Sequence, residues 1–337
     1  MKRICSLLLA LLLAASVLAL PARAADPVTA QGSAQLLYDL GLFKGTGTKA
    51  DGTPEFSLNR APNRAEAVTM LVRLLGAEDQ AMKSVQAMPF TDVPDWARPY
   101  VSYAYRQGLT NGVSDSLFGS ANPVTAAQYL TFVLRALGYQ DGTDFFWNSA
   151  WTLTDSLGIT SGEYNAKSAF LRGDAAVVSA NALTAQRKSG NQNLLEYLVA
   201  SKVITDKNLV VWGCAIVDTQ AGYTSFLFYP VKGSPGTFSS FKVNKVTVNG
   251  VAPIGTMQPD GPQAVSKYLA SIGVSSGGFG YIEVTFDQNA AKAAAKETFT
   301  DSNGKKQPWL VFQFSTTGTR ADGVKVSDTF VVYQAPV

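Results

Sequence analysis

Apolar residues recur at helical spacing up to about residue 205 and at alternating spacing beyond it, so the chain predicts a helical part followed by a stranded one. The clearest helical stretch is Phe90–Gly138. There Trp96, Tyr100, Tyr103 and Ala104 form one stripe, and Gly108 follows as a terminator. Asp95 is expected to cap that helix. A second helix opens on Thr125-Ala-Ala-Gln128, a capping box in which hydroxyl and amide satisfy backbone donors reciprocally. Tyr129, Leu130, Val133, Leu134 and Leu137 form its buried stripe, and Gly138 ends it.

The unit of helix, loop and helix has a copy on each side. In residues 34–76, Leu36, Leu37 and Leu40 precede Gly41, and Asn63-Arg64-Ala65-Glu66 opens a helix that ends at Gly76. Residues 145–187 start on Phe146 and Trp147, turn at Leu157-Gly158-Ile159 and continue from Leu171-Arg172-Gly173-Asp174. Repetition at this period marks a repeat architecture. Residues 25–33 read as a flexible lead-in, and 188–205 as a linker carrying one short helix that caps the array.

Beyond residue 206, the runs Leu209–Val217, Tyr223–Val231, Phe241–Val248, Phe279–Phe286, Trp309–Thr316 and Thr329–Tyr333 read as strands. Ile282, Val284 and Phe286 alternate with polar neighbours, as do Leu310, Phe312 and Phe314. Pro262–Gly273 and the Ala-rich Asn289–Glu297 read as inserted helices. The expected fold class is therefore α + β and multidomain: an N-terminal all-α three-repeat part and a C-terminal β-sandwich-like part over 206–337.

Composition narrows the function. Lys2 and Arg3, the apolar Ile4–Leu20 and Ala22-Arg23-Ala24 have the form of a cleaved export signal over residues 1–24. Its removal takes away three basic residues, leaving 25 against 25 acidic, so nothing draws the chain to nucleic acid or an anionic membrane. No integral membrane segment is expected after cleavage. The chain has no histidine, which excludes His-dependent triads and His metal sites. Cys214 would be the single remaining cysteine, with a buried inert thiol as its expected state. Ser239-x-x-Lys242 and Ser302-x-x-Lys305 match a Ser/Lys nucleophile pattern at chance frequency, and no metal or cofactor signature is present.

The tetrads carry one anomaly. Capping explains Asn63, Glu66, Thr125 and Gln128, yet Arg64 and Arg172 place a cation at a helix N-terminus, where the dipole disfavours it. A guanidinium beside exposed helix N–H groups is a candidate carboxylate site. The second copy has Ala126 at this position.

The ordered string Phe-x-Asp-Val, Trp-Ala, Gly-x-x-x-Gly, Phe-x-x-x-x-Pro, a Thr-Arg-Ala-Glu-like tetrad and Leu-Arg-x-Leu-Gly resembles the S-layer homology (SLH) module. The resemblance implies a three-pronged helical spindle whose inter-prong grooves bind a pyruvate-ketal sugar of secondary cell-wall polysaccharide through the tetrad Arg. It nominates Arg64 and Glu66, with Arg172 and Asp174, as contacts. Asp92 could orient a sugar hydroxyl or serve its Thr-Asp-Val-Pro turn. Trp96 and Trp147 could stack on sugar rings, although their spacing within a helical repeat favours the core. Gly112 would border the groove.

The resulting expectation is a non-catalytic, exported protein of a Gram-positive-type envelope, moored to wall polysaccharide with possible surface-layer neighbours. Two alternatives stand beside it: a decayed repeat acting as a structural or interaction module, and a wall-tethered polysaccharide hydrolase.

Overall fold

The computed structural model describes residues 27–205, 212–231, 234, 236, 238–258, 280–300 and 305–337. The expected export signal and the helix expected over 262–273 lie outside these residues. The chain enters through α1 (Pro27–Asp39), so residues 27–33 are helical and not a flexible lead-in. The reason is packing. Ala30, Ala34 and Leu37 fall on one face of α1 and are almost wholly buried.

A short hairpin of β1 (Gly47–Thr48) and β2 (Pro54–Glu55) separates α1 from α2 (Arg64–Leu74). The short α3 (Glu78–Lys83) and α4 (Arg98–Arg106) come next, followed by α5 (Ala126–Ala136), α6 (Trp151–Ser156), α7 (Arg172–Ala182) and α8 (Leu194–Ala200). Capping boxes open α2 and α5 as the tetrads predict: Asn63 Oδ1 accepts from Glu66 N at 2.9 Å, and Thr125 Oγ1 from Gln128 N at 3.3 Å. Helix α8 uses the same device through Asn193 and Glu196. Leu171, ahead of α7, has no side-chain acceptor, so there only the Asp174 carboxylate closes the turn, on Leu171 N at 2.6 Å.

Two expectations around α4 are corrected. Asp95 does not cap it; Asp95–Ala97 form a 3-10 turn, and α4 begins after Ala97 with no side-chain cap. Trp96 and Trp147 are not core residues but 52% and 54% exposed. Each stands on a 3-10 turn ahead of its helix, outside the stripe through Tyr100, Val101 and Ala104 that is buried. The tighter winding rotates them towards solvent.

The helices share one hydrophobic core that runs from Ala34 to Ile204. Tyr129 is wholly buried in it, with its hydroxyl 2.8 Å from Ser179 Oγ. At the rim, Glu78 accepts from Tyr100 Oη at 2.7 Å and pairs with Lys44 at 2.7 Å and Arg73 at 3.0 Å. Burial works against the Glu78 carboxylate, but the bonds from Lys44, Tyr100 and Arg73 outweigh it and hold the pKa down at about 2. A carboxyl depressed on folding stabilises above its unfolded pKa and loses that contribution as pH falls. Stability should therefore decline as pH drops from about 4.5 towards 2. Urea unfolding at stepped pH should show this decline in the parent and a flatter profile in Glu78→Gln.

The stranded part comprises β3 (Trp212–Gln220), β4 (Tyr223–Pro230), β5 (Phe238–Val248), β6 (Gly255–Met257) and β7 (Gly280–Thr285), then helix α9 (Gln288–Ala293). It closes with β8 (Thr298–Thr300), β9 (Lys306–Pro308), β10 (Leu310–Arg320) and β11 (Lys325–Gln334). One antiparallel sheet has the order β3-β4-β7-β6 and another β11-β10-β5, with β8 and β9 as a separate ladder. The alternation read in Leu310, Phe312 and Phe314 is real: these residues point inward and are buried. Phe226 of one sheet lies 4.8 Å from both Phe312 and Phe314 of the other, ring centre to ring centre. The sheets come so close that a Cβ on Gly280 would sit 1.9 Å from Phe241 Cδ1, which only glycine avoids. Cys214 is half-buried on β3, not fully buried as expected, and desolvation pushes its thiol above the usual value. Helix α1 joins the two parts, packing along α7 and touching β11.

Candidate functional site

The N-terminus of α2 docks on the loop between α4 and α5. Arg64 N donates to Asn122 O at 2.9 Å and Ala65 N to Ser120 O at 3.2 Å. Helix α7 docks likewise on the loop ahead of α2, through Arg172 N to Arg60 O and Gly173 N to Leu58 O, both 2.9 Å. The exposed N–H groups expected beside each guanidinium are thus already consumed. This corrects the anion site read from the sequence: whatever Arg64 binds, it binds through its side chain.

Asp92 builds the platform beneath. Its carboxylate accepts from Phe118 N and Gly119 N, both at 2.7 Å, and from Ser120 N at 3.0 Å. Burial would raise its pKa, but these three bonds prevail and hold it below the ordinary value. Asp92 is therefore a loop-organising residue. Asp92→Ala should cost about 2 kcal/mol, because charge-assisted bonds to backbone amides are lost together. Thermal unfolding should show the loss, and hydrogen exchange should speed up at amides 118–120.

Arg64 lies on that platform. Its guanidinium carbon stands 5.0 Å from the Phe118 ring centre and 4.9 Å from that of Phe132. Nη2 donates to Thr110 Oγ1 at 3.2 Å, Nε has no partner, and the residue is 5% exposed. Among the described residues no carboxylate pairs with it. Burial, then repulsion from Arg135, bring its pKa down to about 10, with Asp92 opposing weakly. It remains a cation at neutral pH, under-compensated and held between two rings.

This cation faces a cavity of about 470 Å³ whose walls include Asn111, Gly112, Phe132, Arg135 and Trp147. Gly112 has φ +77°, and a Cβ there would meet Phe90 Cε1 at 2.4 Å, so glycine lets the loop close over Phe90 beside the cavity. Arg135 pairs with Asp141 at 3.0 Å and donates to Leu109 O at 3.4 Å. The other Asp141 oxygen accepts from Trp147 N at 3.0 Å. One carboxylate thus ties together the charged wall and the aromatic one. An uncompensated guanidinium, a neutralised one and an exposed indole suit a carboxylate carried on a ring with an apolar face.

Of the candidates read from the sequence, Arg64 and Gly112 line this cavity. The others lie elsewhere. Arg172 is 4% exposed, stacked 5.2 Å from the Phe43 ring, with donors turned to Phe56 O at 3.1 Å and Lys44 O at 3.4 Å. Burial and then Arg60 lower its pKa, while Glu66 opposes them. Glu66 closes its capping box and pairs with Arg60 at 2.6 Å. Asp174 is fully buried, accepting from Tyr164 Oη at 3.0 Å as well as from Leu171 N, so it is a structural carboxylate and not a ligand contact. Trp96 is exposed but does not line the cavity. Ala126 is buried and supplies no cation.

Arg135 and Asp141 were missed as sugar contacts, and Trp147, weighed from the sequence as a stacking residue but favoured as core, does line the cavity. Arg135 belongs to the Leu-Arg-x-Leu-Gly string, which carries a signal but no role. Asp141 stands in a short connection where nothing distinguishes it from a turn residue.

Residues 89–130 match the family model described as the S-layer homology domain. The chain is 38% identical over 108 residues to a "Cell surface protein" of Thermoanaerobacter kivui, covering 31% of this chain and 14% of the relative. It is 32% identical over 135 residues to a "Middle cell wall protein" of Brevibacillus brevis, covering 39% of this chain and 13% of the relative. A "Surface layer protein" of Brevibacillus choshinensis is 31% identical over 175 residues, 49% of this chain and 15% of the relative. The aligned stretch is thus a small part of each of these proteins. Among the described residues no helix is long and apolar enough to cross a membrane.

Proposed function

We propose that this chain, which carries an S-layer homology domain, is an extracellular surface protein moored through its helical part to secondary cell-wall polysaccharide. The Arg64 cavity takes the carboxylate of a pyruvate-ketal sugar, with Trp147 against the ring. Residues 34–76, 90–138 and 145–187 act as three repeats wound into a spindle. The β part, read as a β-sandwich, is displayed without catalysis on a Gram-positive-type wall.

The observation that carries this reading is the under-compensated Arg64 guanidinium facing a cavity beside an exposed tryptophan. A fold gains nothing from burying a charge with no counter-charge, so such an arrangement points to a ligand that brings one. The full chain should sediment with intact wall sacculi and should lose that association when mild acid has removed ketal groups from the polymer. Sedimentation indifferent to ketal removal would rule out the acidic sugar.

A second reading has its own support. Ala126 removes the guanidinium from one tetrad, and Arg172 spends its donors on backbone carbonyls in another. Repeats decayed into a scaffold would look this way. Failure of the chain to sediment with intact sacculi would favour it.

A further inference from the structure

Two Asn-Gly pairs lie among the described residues, and their surroundings differ. The Asn249 side chain is clamped: Nδ2 donates to Ala291 O at 2.8 Å and Trp309 O at 2.9 Å, and Oδ1 accepts from Val311 N at 3.0 Å. Asn111 is exposed, and among the described residues its side-chain amide makes no hydrogen bond. We propose that Asn111-Gly112 is a site of spontaneous deamidation, and that the carboxylate formed there weakens the hold of the Arg64 cavity on an acidic sugar. The effect on the cavity rests on the acidic-sugar reading; the modification itself does not.

The reaction needs only water. Gly112 N loses its proton to hydroxide and bonds to Asn111 Cγ, whose nitrogen leaves as ammonia with a proton from solvent. The cyclic imide then takes up water and opens at either carbonyl, giving aspartate or, where the main chain is re-formed through Cβ, isoaspartate. A water is consumed and an ammonia released, and no oxidation state changes. Local geometry favours these steps at residue 111. Its unrestrained carboxamide can swing onto the following nitrogen, and Gly112 has no Cβ to crowd the attack. Among the described residues, Gly112 N is engaged only by Thr110 Oγ1, at a weak 3.4 Å, and that hydroxyl already accepts from Arg64 Nη2 at 3.2 Å. At Asn249 the clamp would have to break before Cγ could turn.

Position gives the change its consequence. The charged groups in the wall of the Arg64 cavity are Arg64, Arg135 and Asp141, and Asp141 already neutralises Arg135 at 3.0 Å. Asn111 stands in the same wall. A carboxylate at 111 supplies the charge that Arg64 lacks, so the cavity becomes neutral before any ligand arrives. The guanidiniums also assist the chemistry, because negative charge develops on Gly112 N and on the Asn111 oxygen, and nearby cations stabilise both. Isoaspartate further adds a methylene to the main chain beside Gly112, whose close approach to Phe90 leaves the loop little room to shift.

The test ages the full chain in mildly alkaline buffer. Peptide mapping by mass spectrometry should show the amide-to-acid mass gain at residue 111 ahead of residue 249, with isoaspartate among the products. Retention on wall sacculi should fall in step with conversion, the converted chain being held about tenfold more weakly. Asn111→Asp should show that loss without ageing. Asn111→Gln, whatever its starting retention, should not decline with age, because the longer side chain cyclises far more slowly. Conversion at 249 before 111, or an intact amide at 111, would overturn the modification site. Full retention of the converted chain or of Asn111→Asp, beside a fresh chain that binds, would overturn the effect on the cavity while the acidic-sugar reading stood. A fresh chain that does not bind sacculi would bring down that reading and the effect together, and the mass gain at 111 would still decide the modification.

Discussion

Arg64→Ala should reduce retention on wall sacculi by about 30- to 1,000-fold while leaving thermal stability nearly unchanged or slightly raised. The binding figure follows from losing one partner of a desolvated charge pair, which costs about 2–4 kcal/mol. The stability figure follows from what Arg64 does without ligand. Its contacts with Phe118, Phe132 and Thr110 Oγ1 contribute, but they must offset burial of a cation whose pKa has already fallen to about 10. Removing the residue gives up the contacts and the desolvation cost together. That combination separates a binding arginine from a structural one, for which retention and stability would fall in step. Arg64→Lys should recover only part of the retention, because an ammonium cannot present the guanidinium's fork. Unchanged retention of the alanine variant would end the assignment. Arg172→Ala provides the contrast: its donors serve Phe56 O and Lys44 O, so its loss should lower stability more than retention.

Phe226→Ala should destabilise the β part by about 3–5 kcal/mol and leave sugar binding intact. The ring is wholly buried and touches Phe312 and Phe314 across the gap between the sheets. Its removal forfeits the buried area, opens a void and breaks two aromatic pairs worth about 0.5–1.5 kcal/mol each beyond area. Strand β4 is also hydrogen-bonded on both sides, to β3 and β7, so the backbone has little freedom to collapse into the void. Calorimetry should show the transition of the β part shifted down by tens of degrees at most, and by no less than about 5 °C. A shift smaller than that would mean that the sheets are not held together through these rings.

Much of the architecture can be read one residue at a time along the chain. The starts of α2 and α5 follow from Asn63–Glu66 and Thr125–Gln128, because a capping box joins residues three apart and needs nothing else. Strand β10 shows its inward face in Leu310, Phe312 and Phe314, since alternation is a property of extended backbone. Arg64 could be picked out because a cation at a helix start breaks a local electrostatic preference. Residues 27–33 misled, because small polar side chains around Ala30 and Ala34 look unstructured until α7 lies against them.

Beyond such short-range rules, the outcome depended on which distant groups the fold brings together. Asp92 reads equally as turn or ligand, and the amides of residues 118–120 decide for the loop. Trp147 has the spacing of a core residue, but a 3-10 turn swings it outward to the cavity edge. Whether Arg64 or Arg172 keeps donors for a ligand is equally invisible along the chain, since their competing partners lie between 46 and 128 residues away. A hydrogen bond or an ion pair is a contact between places, and the order of residues specifies those places only through the packing of the whole core.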